Sequence, residues 1–568
     1  MKTKTVEPNL KDIEWLDREF EDVVKSFWSH HSNMEKYTDF RNNNVFYAPK
    51  AGSIRDQSKL SINLLQVFAD KNTHFTGLVP DIIITPTESN GFERDKASKR
   101  EKVVLGTLAD NDMDRKHVRL ADDATVRSQG FVHTYWDAKN RSVKIERLDP
   151  RYCYYQYAND NDERIVAFWH AFPMTKDQIK RQYGVEPTYS NIDPASFTKQ
   201  ALSRVDGKDW YLVVRRLDDK TSVCWVGDKF IQEPFNHQLE VLPVDMVAPL
   251  LTGELDKFPD FYLRPLVSPQ AEFNETMRKM ANIVRKLGNP AIWGRGIVAR
   301  QHEDVKRALR GDGGFVGLKG DGELGILQVP ETKMLNDHLD QLFKKMQYLA
   351  GFSPTAFGDA VGANTSGDAV NMYSQPQLRA IGFQNIAWKA LYEAISSKIL
   401  RYYDTFLGID ETKTISGYKV KGTFMGVSPS QGATMSKGGF NATFTKRDID
   451  GNYSVLVSPK SITPKDEIAY KRLIADAVNS GFISKTTGYE EWGMQSPQDE
   501  LELLVVEQSS GALNPQGELQ RAQATSALTQ AQGVENGTQG NAQSGQSKTV
   551  GKTNTSTNSK ASSKAPTK

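Results

Sequence analysis

The sequence predicts an α+β fold, and three observations lead to that prediction. Two stretches of similar length, residues 268–288 and 331–351, carry apolar side chains every three or four positions, which is the period of one helical face. From Phe131 onward the apolar residues alternate instead, which is the period of a strand. From Glu507 to the end there is no aromatic residue, and Gln, Ser, Thr, Gly and Asn dominate. Because that composition cannot bury enough surface to offset its ordering entropy, we expect residues 507–568 to be a disordered low-complexity tail.

The length and the cysteine content set broad limits. At 568 residues the chain exceeds one typical domain, so several substructures are expected. No run of 18 apolar residues occurs, which predicts no membrane span, and residues 6–9 lack the apolar block of a signal peptide. We therefore expect the chain to stay in the cytoplasm in which it is made. Cys153 and Cys224 lie in strand-like sequence, where buried thiols are expected rather than a disulfide.

The N-terminal part is predicted to be mainly helical. Helical spacing of apolar residues predicts an aromatic-faced helix with His30 and His31 at its end, near the terminal carbonyls, followed by a break from Tyr37 to Tyr47. A short strand is predicted between the second and third helices, and a proline should end it. The predicted helices span residues 8–31, 60–70, 96–108 and 123–132, and the strand spans 79–86.

Hairpins and one capped helix are predicted in the middle of the chain. Thr175 followed by Gln178 is a capping box, and Gly184 is a stop signal, so a short helix is expected between them. One hairpin leads into Asp149-Pro150, and the second turns around Asp218-Asp219-Lys220. The predicted strands span residues 131–136, 143–148, 164–172, 210–216 and 222–226.

The stretches at 268–288 and 331–351 are predicted to be helices joined by a glycine-rich insert. Ser268-Pro269 is a start signal, and Gly288 and Gly351 are stop signals. Each helix has one narrow apolar stripe, which suits packing against one neighbouring helix, and an ordinary helical hairpin is the simplest interpretation. The stripe residues are Phe273, Met277, Met280, Val284 and Leu287 in the first helix, and Leu335, Leu339, Leu342, Met346 and Leu349 in the second. The insert has strand-like sequence at 290–298 and 314–329, with a basic segment at 300–310 between.

The remaining elements follow in a defined order. Small residues dominate from Gly351 to Gly367, and a long helix is predicted over 377–406. Two short strands are then expected, at 418–424 and 453–457. Thr463-Pro464 should cap a helix that runs to Asn479.

This order of elements resembles bacteriophage portal proteins, the ring-forming channels at the packaging vertex of tailed-phage capsids. In that family a stem helix, a clip insert, a second stem helix, a loop with a Ser-Gly-x-Ala step (366–369 here) and a long helix follow one another. The Pro-x-Ile strand at 80–82 and the Gly-x-Ile-Ser-x-x-Thr turn at 481–487 extend the likeness. The resemblance implies a portal-like subunit with an α+β wing (1–257), stem helices (258–288 and 331–351), a small α/β clip (289–330), a channel loop (352–376), a long helix with the rest of the wing (377–460), a helical crown (461–506) and the tail.

The resemblance also implies the function and the partners. About twelve copies would form a ring whose channel admits double-stranded DNA during packaging and releases it at ejection. The net charge of +2 suits loose passage of DNA better than capture of a specific sequence, which needs a basic surplus. The implied location is the virion, at one capsid vertex, and the implied partners are the terminase large subunit, which would supply ATP hydrolysis, the major capsid or scaffolding protein, and the head-completion connector proteins.

The same resemblance assigns residues to three surfaces. The stem stripes would pack between neighbouring copies of the ring. The channel loop would face DNA through its small and polar residues, Gly358, Gly362, Asn364, Ser366 and Gly367. The clip would dock an acidic partner such as the terminase through Lys306, Arg307 and Arg310, although a solvated helix face is the plainer alternative.

No catalytic, cofactor or metal site is predicted. Gly551-Lys552-Thr553 lacks the spacing of a phosphate-binding loop. Residues 110–114 begin like a calcium loop, but Arg115 and Ala121 replace the turn glycine and the terminal acid. No metal-ligand spacing of His or Cys occurs. Two rival hypotheses stay open: a nucleic-acid-processing enzyme with an unrecognised carboxylate site, and an oligomeric scaffold without a channel.

Overall fold

Helices and antiparallel strands alternate along the chain, in agreement with the predicted α+β class. The computed structural model describes residues 9–44, 60–88, 90–159, 162–187, 210–250, 258–288, 292–295, 323–326, 332–357, 367–420, 437–458, 467–485 and 488. The chain divides into two units, Met1–Gln495 and Ser496–Lys568. All described residues belong to the first, so the predicted tail lies outside them.

The helices of the described residues are α1 (Ile13–Arg41), α2 (Leu64–Thr76), α3 (Gly91–Asp110), α4 (Met113–Arg127), α5 (Lys176–Tyr183), α6 (Val267–Gly288), α7 (Lys333–Leu349), α8 (Gly367–Phe406), α9 (Lys446–Ile449) and α10 (Glu467–Asn479). The strands are β1 (Asp81–Ile83), β2 (Gly130–Asp137), β3 (Ser142–Leu148), β4 (Cys153–Asn159), β5 (Asp162–Thr175), β6 (Trp210–Asp218), β7 (Thr221–Val226), β8 (Lys229–Asn236), β9 (Val244–Val247), β10 (Ile292–Arg295), β11 (Glu323–Ile326), β12 (Lys413–Val420), β13 (Lys437–Phe444) and β14 (Leu456–Ser458).

Two antiparallel sheets organise the first half of the chain. Strands β4 to β8 form a five-stranded meander in sequence order, and β3, β2 and β9 form a three-stranded sheet. The predicted hairpins are confirmed, with Phe131 opposite Leu148 in one and Val214 opposite Trp225 in the other. Three further pairs, β1 with β14, β10 with β11, and β12 with β13, complete the pairing of the described strands.

Helix α1 covers the five-stranded sheet. Phe20 and Phe27 of the helix make edge-on contacts with Tyr154, at ring-centroid distances of 5.3 and 5.5 Å. Trp225 of the sheet is fully buried, and its indole N–H donates to Asp17 of α1 at 2.7 Å. Large aromatic side chains supply most of the apolar area here, and each polar tip needs a partner when it is buried.

The long helix α8 lies at the centre of the largest core. Its buried side chains pack with α3, α4, β2, β3 and the β12–β13 pair, and the fully buried members include Trp388, Tyr392 and Tyr403. Besides this core and the one between α1 and the five-stranded sheet, a third core joins the end of α1, α2, residues 261–266 and the end of α7. This third core holds the stem helices onto the rest of the subunit.

The predictions that rested on helix-capping residues and on buried thiols are confirmed. Thr175 and Gln178 form the capping box of α5, and Gly184 ends that helix in the left-handed conformation, at φ +71°. Cys153 and Cys224 are free and buried. Helix α10 ends at Asn479, as predicted.

Three predictions about the N-terminal helices are wrong. Helix α1 continues to Arg41, because Tyr37 stacks on Phe261 at 4.4 Å and is drawn into the third core. His30 and His31 therefore lie inside the helix rather than at its end. Helix α4 starts at Met113, ten residues earlier than expected, and the chain is already a strand at Gly130.

Other strand predictions are incomplete. Strands β4, β8, β9 and β13 were not predicted, and β12 and β14 are shifted from the expected ranges. Strand β14 is only three residues long and pairs with β1, some 370 residues earlier in the chain. Pairing at such separation depends on tertiary contacts, so local periodicity does not reveal it.

Several histidines are buried in the neutral form. His30 stacks on Phe258 at 4.5 Å, and Nε2 of His31 lies 3.2 Å from the carbonyl oxygen of Cys153. Burial lowers the pKa of His30 to about 3 and the pKa of His31 to about 4. Burial likewise lowers the pKa of His117 to about 4, and that imidazole lies between Thr76 O (2.8 Å) and Tyr392 OH (3.0 Å).

These depressed pKa values predict loss of stability in acid. A histidine in the unfolded chain binds a proton near pH 6.5, so between pH 6.5 and about 4 the unfolded state binds more protons and the folded state loses stability as the pH falls. We expect the thermal midpoint to fall between pH 7 and pH 5, and to fall less in His117→Gln, which removes one such proton. His338→Gln, at an exposed position on α7, is the control and should behave as wild type. An equal fall in all three proteins, measured by differential scanning fluorimetry, would contradict this explanation.

Candidate functional site

The stem helices α6 and α7 pack against each other through their predicted stripes. Phe273, Leu339 and Leu342 are buried together, with Met277 and Met280 beside them. The sequence pattern alone favoured a helical hairpin, whereas the family resemblance assigned these side chains to contacts between neighbouring copies. In the structure they have a partner within one chain, because each helix presents its stripe to the other.

The other stripe residues divide between core and surface. Met346 is fully buried in the third core, and Leu335 is half-buried. Val284 and Leu349 are exposed. Leu287 belongs to the last turn of α6, where only the backbone is described.

Two amide side chains fasten α6 to the segment that enters α2. Asn274 accepts a hydrogen bond from the backbone N–H of Ile62 at 2.9 Å. Gln270 accepts from the N–H of Leu64 at 2.9 Å and donates to the carbonyl of Ile62 at 2.6 Å. Gln270 and Asn274 are both buried and stand one helical turn apart, so they bind an extended backbone much as a neighbouring strand would.

Asn63 connects the same segment to α1. Its side-chain oxygen caps α2 by accepting from Gln66 N at 3.2 Å. Its amide nitrogen donates to the carbonyls of Phe40 (3.2 Å) and Arg41 (2.6 Å) at the end of α1. Asparagine suits this place because one side chain offers both an acceptor for the cap and donors for unpaired helix carbonyls. The stem is thereby tied to both N-terminal helices.

The chain leaves the stem at a fixed point. After α7, Gly351 turns at φ +73°, and Tyr262 donates to Ala350 O at 2.8 Å. Phe357, the last described residue before position 358, makes edge-on contact with Phe68 at 5.3 Å. Lys71 donates to Ala356 O at 2.8 Å. The entrance to the predicted channel loop is therefore held by aromatic packing and by hydrogen bonds to two backbone carbonyls.

Buried polar side chains hold α8 at five successive levels. Each joins α8 to another segment of the chain, and each pair satisfies groups that would otherwise be buried without partners. The pairs are Gln377 with Ser353 Oγ (3.0 Å), Gln384 with Asn72 (3.2 and 3.3 Å), Tyr392 with His117 (3.0 Å), Lys398 with Asp245 (2.6 Å) and Tyr402 with Thr134 O (2.8 Å).

Large apolar side chains are exposed on the outer faces of α7 and α8. Met334 and Tyr348 of α7 are 82% and 85% exposed. Tyr348 follows Leu339 by nine residues, so it points about 180° away from the buried stripe. On α8, Phe383 and Ile386 are 73% and 64% exposed and lie on one face, one turn apart. Exposed apolar groups that gather on one face are typical of protein interfaces.

The predicted channel and clip residues fall largely outside the described ranges. Gly358, Gly362, Asn364 and Ser366 lie outside them, as do Lys306, Arg307 and Arg310. Their roles stay predictions. Two strands were predicted for the clip, and strands β10 and β11 pair there, with Ile292 opposite Ile326.

Gly367 does not belong to a loop but opens α8, which begins ten residues before the predicted start at 377. The sequence at this point misled the prediction, because small residues precede the helix and Pro376 lies within it. Proline removes one backbone donor and usually marks a helix boundary, but here the helix continues through it.

Chemical sites are limited in the part of the chain that the structure describes. Within it, no group of three or more His, Cys, Asp or Glu side chains is placed to hold a metal ion. The acidic turn before α4 has Asp112 paired with Arg115 at 3.4 Å. None of the described helices has the length and apolar character needed to cross a membrane.

The sequence analysis did not predict the hydrogen bonds of Gln270 and Asn274, or the exposed apolar outer faces of α7 and α8. Gln270 and Asn274 interrupt an otherwise apolar helix face at a spacing of four, and that pattern is the one signal that could have revealed them. Their partners lie about 200 residues earlier, so the contact itself is not readable from the sequence.

Comparison with known proteins yields one family. The model of the family described as "Phage portal protein, SPP1 Gp6-like" matches residues 41–425, which is more than half of the chain of 568 residues. The matched range includes α6, the clip strands, α7 and α8. No curated protein matches the chain.

The hydrogen bonds from Ile62 and Leu64 to the side chains of Asn274 and Gln270 predict a residue-specific change in amide exchange when these side chains are replaced. We expect Asn274→Leu to speed hydrogen–deuterium exchange at the amide of Ile62, and Gln270→Leu to speed it at Leu64, each by about fivefold, since one hydrogen bond contributes about 1 kcal/mol. Mass spectrometry with single-residue fragmentation would measure both. Lys279→Leu, on the exposed face of α6, is the control. Unchanged exchange at both amides would show that the side chains do not fasten the segment.

Proposed function

The chain belongs to the phage portal protein family, and from that premise we propose that copies of it close into a ring around a channel for double-stranded DNA. The family assigns the chain a portal role in the virion capsid. The finer proposal is that the ring stands at one capsid vertex after assembly in the host cytoplasm. There DNA enters during packaging by the terminase and leaves at ejection, and the connector proteins dock on the ring.

The main observation in support of a ring is that the stem hairpin has two faces, one that is buried within the chain and one that is exposed. The stripe residues Phe273, Leu339 and Leu342 are already buried between α6 and α7, so they are not available to a neighbour. Its outer face still exposes Met334 and Tyr348 on α7. Tyr and Met are among the residues enriched in interfaces. A neighbouring copy would cover these side chains and remove their apolar surface from water.

A head-to-tail arrangement fits this surface better than a two-fold one. The exposed face of α7 and the exposed pair Phe383 and Ile386 of α8 are two different patches. When one patch of a copy meets a different patch of the next, the interface is heterologous, and such an interface generates a closed ring where the rotation between copies closes. About twelve copies is the number that the family resemblance suggests.

The charge and the anchored loop entrance support a channel through which DNA slides. A net charge of +2 leaves few uncompensated cations to hold phosphates, so DNA would meet little resistance to movement. The segment from 358 to 366 departs from the point fixed by Phe357. We propose that this segment lines the channel and contacts the DNA.

The two rival functions, an enzyme and a scaffold without a channel, differ from a portal in catalysis and in the shape of the assembly. Portal proteins are in general structural, and we propose no catalytic activity for this chain. A scaffold without a channel would share the exposed outer face but would not enclose a hole. The shape of the assembly therefore discriminates between the two oligomeric hypotheses.

The outer face of α7 can be tested directly. We expect Met334→Lys combined with Tyr348→Lys to shift the assembled ring toward single subunits, because two buried cations would oppose the interface. Native mass spectrometry measures the shift. The thermal midpoint of the released subunit should stay within about 2 °C of that of wild-type protein diluted to single subunits, since both side chains are exposed in the subunit.

Asn336→Lys serves as the control, because Asn336 is exposed on α7 but lies beside the buried stripe. Lysines at Leu342 and Met346 would be a poor test, since both side chains belong to the cores of the subunit itself. Rings of unchanged mass and abundance in the Met334/Tyr348 variant would rule out this face as the seam.

The proposed docking surface of the clip has its own test. We expect reversal of Lys306, Arg307 and Arg310 to Glu to leave rings intact but to weaken binding of the terminase large subunit, most at low salt, where exposed charges are least screened. The control reverses Lys11, Arg18 and Lys25, three exposed cations of the N-terminal region, so the net charge change is identical. Equal affinity of both variants for the terminase large subunit at low salt would contradict the assignment of Lys306, Arg307 and Arg310 to the docking surface.

A further inference from the structure

Two buried histidines lie where the three-stranded sheet packs against the five-stranded sheet. Phe131 of β2 and Phe168 of β5 are fully buried and make ring contact across this interface, at a centroid distance of 5.4 Å. His133 and His170 lie two residues further along the same strands and are also buried. Because side chains alternate along a strand, each histidine points to the same side of its sheet as the phenylalanine before it. Val244, the cross-strand neighbour of His133, belongs to the same core, so both histidines face the contact between the sheets.

His170 belongs to a row of side chains that crosses the five-stranded sheet. The strand register places Cys153, His170, Arg215 and Cys224 directly opposite one another, in that order. Side chains of directly opposite residues project from the same face and lie close together. Both cysteines are buried, and Arg215 is half-buried. A guanidinium therefore lies next to His170 on the face that meets β2.

His133 and His170 lack a partner that three other buried histidines have. The Nδ1 atom of each is buried without a hydrogen-bond partner among the described residues. In contrast, one ring nitrogen of His31, His117 and His237 lies 3.2, 2.8 and 3.0 Å from a backbone carbonyl oxygen. A carbonyl oxygen stabilises a protonated ring by accepting its hydrogen bond, and no such acceptor is available to Nδ1 of His133 or His170.

The basic groups around the two histidines oppose a further positive charge. Burial is the main cause that holds the pKa of His133 well below its usual range, and Arg215, His170, Lys398 and His237 each lower it further. Burial and then Arg215 lower the pKa of His170 to about 3. Both rings are therefore neutral at pH 7 while the sheets are in contact.

The nearby carboxylates are engaged elsewhere or exposed. Asp245 of β9 lies opposite Val132, so it points to the other side of its sheet, where it accepts from Lys398 at 2.6 Å. Asp149 pairs with an arginine of its own turn at 2.7 Å and offsets only part of the shift in the pKa of His170. Glu146 of β3 lies opposite His133 but is exposed to water, which screens its charge.

The remaining titratable neighbours are neutral. Tyr135 stacks on His133 at 5.2 Å, Cys153 lies opposite His170, and Tyr183 of α5 lies beside Arg215. Burial raises the pKa of each of these hydroxyl and thiol groups. They therefore provide no negative charge to balance a protonated histidine at or below pH 7.

We propose that the contact between the two sheets is a pH-sensitive switch, closed while His133 and His170 are neutral and opened when they bind protons. In the closed contact, each added proton places a positive charge near Arg215, where Nδ1 has no acceptor. In the open contact both rings reach water and bind protons near pH 6.5. The open form is therefore favoured progressively as the pH falls below 6.5. The switch does not depend on the proposed ring, since all its residues come from one chain.

The two cysteines of the chain are natural reporters of this opening, because both lie in the buried row with His170. The test is the rate at which a pyridyl disulfide labels Cys153 and Cys224 in the full-length protein at pH 7 and pH 5, with mass spectrometry of peptides to assign the label. Each rate is divided by the rate for the same thiol in the urea-unfolded chain at the same pH, which removes the intrinsic pH dependence of the thiol. Each histidine should raise the opening equilibrium constant about 25-fold between pH 7 and pH 5, so we expect the normalised rate for Cys153 to rise about 600-fold.

Three single variants separate local opening from unfolding of the whole subunit. His133→Gln and His170→Gln each remove one titrating ring, so the rise should shrink to about 25-fold in either variant. His117→Gln is the matched control, because it removes a buried neutral histidine that packs against Trp388 and Tyr392 in another core. It should leave the rise at about 600-fold if the sheets open locally. Global unfolding would instead expose His117 as well, and the control would then reduce the rise by about the same factor as the other two.

Two results would overturn the proposal. One is a wild-type rise below about tenfold, which is less than a single titrating histidine provides. The other is an equal reduction of the rise in His117→Gln and in the variants of the sheet contact, which would assign the acid effect to global unfolding. If one variant of the contact does not fold, the other tests the same contact from the opposite sheet, and the wild-type and His117→Gln measurements keep their meaning without either.

Discussion

The described part of the subunit depends on how one face of α8 is held. Five polar side chains along this helix, from Gln377 to Tyr402, find buried partners on other segments, four of them more than 150 residues away in the chain. Leaving one such group without its partner costs about 1–3 kcal/mol, so sliding or rotating the helix would break several contacts at once. Apolar packing alone tolerates small shifts, whereas these pairs fix one register. Because the central helix is fixed, the sheets, the third core and the stem acquire defined positions around it.

The same arrangement determines which surfaces are left for partners. The stem hairpin buries its stripes within the chain and is fastened to the segment before α2 by Gln270 and Asn274. Its outer face, with Met334 and Tyr348, stays uncovered, as do the stripe residues Val284 and Leu349. A hairpin that is already stable in one subunit can present a preformed surface, so association does not have to order it first. The family match over 41–425 shows a phage portal protein, and we propose that this surface forms the contact between neighbouring copies in its ring.

Sequence alone predicted the elements whose signals are local. The stem helices, both hairpins and the α5 capping box at Thr175 follow from period and caps, which a short window of residues contains. The continuation of α1 beyond Tyr37 and of α8 before Gln377 could not be predicted, because tertiary packing overrides local breakers there. In the candidate site, the apolar stem residues were identified, and the helical hairpin was the simplest interpretation, although the family resemblance assigned the stripes to contacts between copies. Periodicity shows which face is buried and not what covers it.

The central claim is that this subunit forms a closed ring with a channel. Electron cryomicroscopy of the purified full-length protein, viewed end-on, tests it most directly. The account predicts closed rings of uniform subunit number, with a central opening wide enough for duplex DNA and with the outer face of α7 against the neighbouring subunit. Single subunits at all concentrations, open filaments, or closed particles without a central opening would contradict it.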